Sequence, residues 1–294
     1  MKIITFDIGG TSIKSMIIEN GKETVLEEIV SRAKEGAIYL KEDIFKRIRE
    51  ILEKEKGIDG IAISTAGMVD YKTGIISYAN ENIKNYIGFD WKKEIGNEFG
   101  LPCVVENDVK SAALGEANYG AGRDFDSMFC LTVGTGIGGC VIIDNEIYRG
   151  ASGNAGEIGY LPFEDSTIEE KASTSAILRL AEEKYPEKNF TDGKTLFEAF
   201  DREDLEAKEL IDVLTTNLSK LLANLMLIIS PDAIIIGGGI SKQGDKLLNP
   251  IRNKVKKLVP ENIFNSTKII NTNLGNKSGC YGVYYLFTES IKSN

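Results

Sequence analysis

The side chains best suited to chemistry stand together in one short segment, VVENDVKSAALGE (residues 104–116). Glu106, Asn107 and Asp108 end an apolar run, and an alanine-rich helical pattern follows them. Asp108 therefore has two interpretations. Aspartate is a favoured cap at the start of a helix, and a carboxylate at the end of a buried strand can also accept a proton in a reaction. This segment alone does not decide between a cap and a general base.

The sequence contains no histidine. Histidine is the side chain whose ordinary pKa lies nearest neutrality, so its absence excludes Ser–His and Cys–His nucleophile systems and histidine-ligated metals. A general base in this chain must be a carboxylate, a lysine, a tyrosine or a cysteine. An aspartate is then the natural candidate.

Glycines follow a strand pattern in three places, and each place could hold a phosphate group. The segments are Asp7-Ile8-Gly9-Gly10-Thr11, Gly134 to Gly139, and Gly237-Gly238-Gly239. Glycine lets backbone N–H groups approach an anion closely. Thr11 and Thr135 would add hydroxyl donors, and Asp7 could hold Mg²⁺ directly or through water. Tight turns without a ligand are the alternative.

Gly134 to Gly139 match the dinucleotide fingerprint G-x-G-x-x-G, but a helix must follow that fingerprint. Here the strand pattern CVIID and a turn follow instead. We therefore predict a β-turn-β phosphate loop over 134–139, and a nicotinamide-dependent oxidoreductase is disfavoured.

Composition excludes several classes of partner. The formal charge of −9 lacks the basic footprint of a nucleic-acid binder. The four cysteines form no C-x-x-C pair, and the N-terminus MKIITFDIGG has no signal-peptide pattern. The longest apolar stretch, around 221–239, is interrupted by polar residues and so is not expected to span a membrane. We expect a cytoplasmic protein.

The elements that would position these residues fall into two similar halves. ITFDIGGTSIKSMIIENG and LTVGTGIGGCVIIDNE share the order strand, glycine turn, strand, polar turn, although any two hairpins can look alike. Helical patterns occur at 40–56, 172–186, 194–200, 204–229, 244–258 and 277–291. Strands alternating with helices predict an α/β fold. We expect an N-terminal domain over 1–118, a C-terminal domain over 119–276, and a last helix (277–294) that returns to the first domain.

Six segments together resemble the ROK (repressor, open reading frame, kinase) family of sugar kinases over nearly the whole chain. They are FDIGGTSIK, GMVDYKTG, VENDVKSAALGE, LTVGTGIGG, GASGNAGEIGY and IIIGGGIS. The resemblance implies a two-domain actin-like ATPase (ribonuclease H-like) α/β fold, with an active-site cleft between the domains. It also implies ATP-dependent phosphorylation of a sugar 6-hydroxyl group, with Mg²⁺.

The resemblance also implies roles for individual residues. Asp108 matches the catalytic base. The sugar-binding positions match Gly67, Asn80 (or Asn82), Asn107, Asp108, Glu157 and Glu169 (or Glu170). The nucleotide-binding positions match Asp7, Gly9, Gly10, Thr11, Lys14, Thr135, Gly136, Gly238 and Gly239. Of these, Asp7 would also bind Mg²⁺, directly or through water. For Lys14, an exposed strand residue without a ligand is the alternative. We expect Trp91 and Phe89 to belong to the hydrophobic core rather than to stack on the sugar.

One departure from the family concerns zinc. Many members carry a histidine after AGEIG and then a cysteine-rich zinc loop, whereas this chain has Tyr160 and the cysteine-free segment LPFEDSTIEEKAS. We predict no zinc site, with Tyr160 and Phe163 anchoring the loop. Similarity to the zinc-less members favours N-acetylmannosamine as the sugar. A glucokinase or β-glucoside kinase is the alternative, and a non-catalytic sugar-sensing regulator comes third. The family resemblance also implies a homodimer.

Overall fold

Strands and helices alternate along the chain in a computed structural model that describes residues 1–79 and 83–292. The chain divides into two compact units. The first comprises Met1–Tyr119, Gly150–Asn154 and Asn276–Asn294, and the second comprises Gly120–Arg149 and Ala155–Gly275. The segment Gly150–Asn154 thus belongs to the first unit, whereas the predicted boundaries place it in the second.

The elements are named in chain order. The first unit begins with β1 (Lys2–Ile8), β2 (Ser12–Glu19), β3 (Lys22–Val25), β4 (Ile29–Val30), α1 (Ala37–Lys54), β5 (Gly60–Thr65), β6 (Met68–Val69), β7 (Ile76–Tyr78), α2 (Trp91–Phe99), β8 (Cys103–Asn107) and α3 (Asp108–Tyr119). The second unit contains β9 (Ser127–Val133), β10 (Ile137–Ile143), β11 (Glu146–Ile147), β12 (Pro162–Phe163), β13 (Ser166–Thr167), α4 (Ile168–Ala172), α5 (Thr174–Lys184), α6 (Gly193–Asp201), α7 (Leu205–Ile229), β14 (Ala233–Gly237), α8 (Asp245–Val255), α9 (Glu261–Ser266) and β15 (Lys268–Asn271). Short 3₁₀ helices occur at Ile158–Tyr160, Pro186–Lys188, Gly239–Gln243 and Gly275–Lys277, and α10 (Ser278–Lys292) returns to the first unit.

The main sheets of the two units have the same plan. The strand order is β3-β2-β1-β5-β8 in the first, where β4 also pairs with β2, and β11-β10-β9-β14-β15 in the second. In each, an antiparallel hairpin precedes strands that run parallel to its first strand. This duplication agrees with the repeated pattern in the sequence. Because the carboxyl ends of parallel strands meet at one edge, each sheet gathers its glycine turns there.

Both faces of the first sheet are covered, because successive side chains of a strand point to opposite faces. Ile4 of β1 belongs to the cluster that contains Leu40 of α1, whereas its neighbour Ile3 clusters with Val283 and Phe287 of α10. In the second unit α7 is the central helix. It is long and apolar enough to cross a membrane, but 56% of its most apolar window is buried within the unit, as expected of a core helix.

Two element predictions need correction. The predicted loop over 134–139 is shorter, because β10 already begins at Ile137 and its glycines pair with β9. The helix predicted over 172–186 begins instead at Thr174 and ends at Lys184. The Oγ of Ser173 accepts a hydrogen bond from the backbone N–H of Ala176 at 3.1 Å. Ser173 thereby caps α5 and separates it from α4.

Helices α3 and α10 cross with their backbones in direct contact. A Cβ atom added at Gly282 would overlap the carbonyl oxygen of Ser111, and one added at Gly115 would overlap that of Ser278. Because the obstructing atoms are backbone, no side-chain rotation can relieve the overlap. The crossing holds α3, and with it Asp108, against the last helix of the chain.

We predict that Gly282→Ala lowers the free energy of unfolding of the first unit by about 1–3 kcal/mol, since overpacking outweighs the gain in helix propensity. The matched control is Gly96→Ala in α2, where nothing lies within 4 Å of the added Cβ. This control should raise stability by about 0.5–1 kcal/mol. Urea unfolding followed by the fluorescence of Trp91, the single tryptophan, checks both. Equal effects of the two substitutions would contradict the crossing geometry.

Candidate active site

The parallel strands β1, β5 and β8 of the first unit bring polar residues to one edge of the sheet. Asp7 near the end of β1 lies opposite Ser64 of β5, and Thr65 of β5 lies opposite Asn107 of β8. The Ser64 hydroxyl donates to Oδ1 of Asp7 at 2.8 Å. Asp108 follows at once as the first residue of α3. Asp7, Asn107 and Asp108, predicted from separate motifs, therefore share this edge.

Asn107, and not Asp108, caps helix α3. Its Oδ1 accepts from the backbone N–H of Lys110 at 3.1 Å. Its Nδ2 donates both to the carbonyl oxygen of Gly67 at 2.9 Å and to Oδ1 of Asp108 at 2.8 Å. One amide thus joins the end of β8, the start of α3 and the turn after β5. Asp108 is therefore not the cap of α3, and its role as a general base stays a prediction.

The two carboxylate oxygens of Asp108 are in different environments. Oδ1 accepts from Asn107 and from the backbone N–H of Val109 at 2.9 Å. Within residues 1–79 and 83–292, no group of another residue donates to Oδ2. Burial, followed by the nearby negative charge of Asp7, raises the pKa of Asp108 to about 6. This carboxylate is ionised at neutral pH and has one oxygen available to accept a proton.

Asp7 is paired within its own hairpin. Lys14, its register partner on β2, places Nζ 3.5 Å from Oδ2 of Asp7. In the turn between the strands, the backbone N–H of Gly9 donates to the carbonyl oxygen of Ser12 at 2.9 Å. Gly10 and Thr11 are exposed. Lys14 therefore lies beside a carboxylate rather than standing free on the strand.

Lys110 was not predicted as a site residue, yet it is only 1% exposed. Its Nζ donates to the carbonyl oxygen of Gly153 at 2.6 Å. Burying an ammonium group is unfavourable without such a partner, so this bond helps to hold Gly150–Asn154 in the first unit. The sequence feature that could have identified Lys110 is a lysine within an alanine-rich helical pattern typical of a buried helix.

The second unit places two of its glycine segments side by side. The turn Gly134–Ile137 follows β9, and Gly238 follows the neighbouring parallel strand β14. Gly238 has a φ of 84°, and a Cβ there would overlap the backbone of Val133, so only glycine fits. Thr135 and Gly239 lie at the same edge of the sheet, Thr135 with an exposed side chain. Thr135, Gly136, Gly238 and Gly239 therefore lie at one edge of the second sheet.

Glu157 and Glu169 also lie in the second unit. Glu157 occupies the centre of a γ-turn, because the N–H of Ile158 donates to the carbonyl oxygen of Gly156 at 2.7 Å. Oε2 of Glu169 accepts from the N–H of Ile137 at 2.8 Å. Its neighbour Glu170 instead accepts from the Ser166 hydroxyl. Of the two alternatives, Glu169 is therefore the one directed at the turn Gly134–Ile137.

Other predicted residues have mixed outcomes. Trp91 is fully buried, as expected of core. Phe163 packs against the core of the second unit, with Lys220 Nζ 5.3 Å from the ring centroid. Tyr160 is 62% exposed, and its role in anchoring the loop stays a prediction. Asn80 and its alternative Asn82 lie outside the described residues. Within the described part of the chain, no group of three or more Cys, Asp or Glu side chains is arranged to hold a metal ion.

Comparison with known proteins matches the ROK family model to residues 3–290. The chain belongs to the ROK family. An uncharacterized protein of Clostridium perfringens is 41% identical, with 97% of each chain covered. A glucokinase of Halalkalibacterium halodurans is 30% identical, covering 98% of this chain and 95% of its own. A β-glucoside kinase of Listeria monocytogenes is 32% identical over 83% of this chain and 84% of its own.

Solved structures of ROK proteins superpose on nearly the whole chain. A ROK glucokinase from Streptomyces griseus, in complex with glucose and AMPPNP, has a TM-score of 0.83 at 28% identity, covering 97% of this chain and 99% of its own. A Listeria monocytogenes protein named as a candidate N-acetylmannosamine kinase has a TM-score of 0.85 at 29% identity, with 99% of each chain covered. The predicted α/β fold of the actin-like ATPase type is thereby confirmed.

We predict that Asp108→Asn stabilises the folded protein at neutral pH. Because folding raises the pKa of Asp108 from 3.8 to about 6, ionisation opposes folding, and stability falls as the pH rises from about 4 to about 6. Asparagine keeps the oxygen that Asn107 and Val109 hold but carries no charge. The free energy of unfolding at pH 7 should rise by about 1–3 kcal/mol, with no gain below about pH 4.

Trp91 fluorescence in urea, measured at several pH values, checks this prediction. The control Asp124→Asn removes an equal charge from an exposed position and should change stability by less than about 0.5 kcal/mol. A variant at position 108 that is less stable than the unmodified protein at pH 7 would show that the carboxylate is not strained in this way.

Proposed function

We propose that this protein transfers the γ-phosphoryl group of ATP to the 6-hydroxyl group of a hexose or an N-acetylhexosamine. It is an ATP-dependent carbohydrate kinase of the ROK family. The choice of Asp108 as general base rests on one observation: Oδ1 is held by Asn107 and Val109, while no other described residue donates to Oδ2. Orientation of this kind is what proton acceptance requires.

In the proposed reaction, Oδ2 of Asp108 accepts the proton of the sugar 6-hydroxyl as its oxygen forms a bond to the γ-phosphorus and the bond to the leaving ADP oxygen breaks. Phosphoryl transfer requires little covalent chemistry of the protein beyond positioning and charge stabilisation. The pKa of about 6 caused by burial and by Asp7 makes Asp108 a stronger base than an ordinary aspartate while leaving it ionised at pH 7.

The phosphate groups of ATP would meet the two glycine turns, Gly9–Thr11 and Gly134–Ile137, and the adenosine would lie by Gly238 and Gly239. Asp7 suits Mg²⁺, since a carboxylate oxygen is the ligand type that this ion prefers. Its Oδ2 lies 3.5 Å from Nζ of Lys14. When bound, Mg²⁺ neutralises negative charge on the phosphates.

Gly67, Asn107, Glu157 and Glu169 are proposed to bind the sugar, together with Asn80 from outside the described residues. We propose N-acetylmannosamine as the substrate, supported by the zinc-less sequence and the likeness to the Listeria structure. Glucose and β-glucosides are the second choice, supported by the named relatives. We further propose a cytoplasmic homodimer that acts on small molecules and binds neither nucleic acid nor membranes nor zinc.

A coupled ADP-release assay over N-acetylmannosamine, N-acetylglucosamine, glucose, mannose and cellobiose tests the substrate. The highest kcat/KM is expected with N-acetylmannosamine. A higher value with glucose or cellobiose would replace that sugar by the second choice. Turnover with none of the five, while a sugar still binds, would favour a non-catalytic sugar sensor.

Asp108→Asn should lower kcat by about 100-fold or more, because a general base contributes 10²–10⁴, while the sugar still binds. In the unmodified protein, kcat/KM should fall about tenfold per pH unit below about pH 6 and be level above it. Protonation of ATP can also lower kcat/KM at acidic pH, so Asp108→Glu is the control. If the decrease is caused by residue 108, the pH at which it begins should shift in this variant. Retained activity in Asp108→Asn would remove Asp108 as the base.

A further inference from the structure

The carboxylate of Glu169 is bonded to the backbone of the turn Gly134–Ile137. Its Oε2 accepts from the N–H of Ile137 at 2.8 Å. A Cβ added at Gly136 would overlap this same oxygen. Glycine at position 136 therefore leaves space for this carboxylate oxygen to pack on the turn.

The other end of the turn is held by the same short segment of chain. The carbonyl oxygen of Gly134 accepts from the N–H of Thr174 at 2.9 Å, and the N–H of Ser173 donates to the carbonyl oxygen of Glu169 at 3.1 Å. The segment 169–174 thus fixes both ends of the turn. The side chain of Glu169 and the backbone of Thr174 are thus bonded to opposite ends of the turn.

The second oxygen of Glu169 is differently placed. In the described ranges, 1–79 and 83–292, nothing donates to Oε1, and the residue is exposed. Oε1 is therefore able to accept a hydrogen bond from a ligand hydroxyl group while Oε2 remains on the turn. The carboxylate of Glu169 would then contact one ligand directly through Oε1, and it would affect a second ligand at the turn through the N–H of Ile137.

We propose that Glu169 is a positioning residue that couples sugar binding to nucleotide binding through the turn Gly134–Ile137. The inference rests on the proposed function, in which Glu169 meets the sugar and the turn meets the phosphates. A sugar hydroxyl bound to Oε1 restricts the rotamers of the side chain and thereby the N–H of Ile137. The nucleotide then meets a turn that is already ordered, and linkage requires the coupling to be equal in both directions.

The test measures the dissociation constant of a non-hydrolysable ATP analogue with and without saturating sugar, using glucose and N-acetylmannosamine as probes. The ratio of the two constants is the coupling factor. For the unmodified protein we expect about fivefold or more, within the usual range for coupled sites. Glu169→Gln keeps an oxygen for Ile137 and should retain a factor above one, whereas Glu169→Ala should lower it to about one.

Gly136→Ala separates coupling from sugar binding. The added Cβ displaces Oε2 from the turn, but the carboxylate stays in the chain and can still bind the sugar. We expect the sugar still to bind while the coupling factor falls to about one. The matched control, Glu170→Ala, removes the neighbouring carboxylate and should leave the coupling factor unchanged. Circular dichroism melting curves verify that each variant is folded.

The outcomes are distinguishable. Binding of both ligands without coupling in the unmodified protein would overturn the inference and leave the kinase proposal intact. A coupling factor in Gly136→Ala equal to that of the unmodified protein would also overturn the inference, and so would a loss of coupling in Glu170→Ala. If neither the sugars nor the ATP analogue bind to the unmodified protein, the proposed function fails and the inference fails with it.

Discussion

The amide of Asn107 is the interaction on which the first unit's site depends. Its oxygen caps α3, and its nitrogen donates to Gly67 and to Asp108. Because all three bonds come from one planar group, the start of the helix, the turn after β5 and the carboxylate cannot move independently. The bond to Oδ1 of Asp108 also determines which carboxylate oxygen remains available. An alanine at this position would remove the cap and the orientation together.

Several ionisable side chains are buried in β8 and α3, where burial is unfavourable for a charged group. Glu106, Lys110 and Glu116 are each 1% exposed, and Asp108 has a raised pKa because of burial and of Asp7. A buried polar group requires a hydrogen-bond partner, such as the carbonyl oxygen of Gly153 for Lys110 and the Ser278 hydroxyl for Glu116 at 2.7 Å. The backbones of α3 and α10 are also in direct contact at Gly282.

Much of the fold was predictable because its signals are local. Helix α7 and the repeated strand–turn–strand pattern are readable from periodicity, and Asp108 from its place at a strand end. The contacts that define the site were not readable, since they join distant residues through backbone atoms. Lys110 meets a carbonyl 43 residues away, and Glu169 meets an N–H 32 residues away. The choice of Asn107 over Asp108 as cap also depended on geometry, because both residue types favour that position.

The central claim is that Asp108 is an oriented carboxylate whose burial and neighbour make it a stronger base than an ordinary aspartate. Carbon-13 NMR titration of aspartate side-chain carboxyl groups, with Asp108→Asn to assign the signal, measures this property directly and without turnover. A pKa of about 6 for Asp108, lowered in Asp7→Asn by removal of the neighbouring charge, is the predicted result. A pKa near 3.8, unchanged in Asp7→Asn, would contradict the claim.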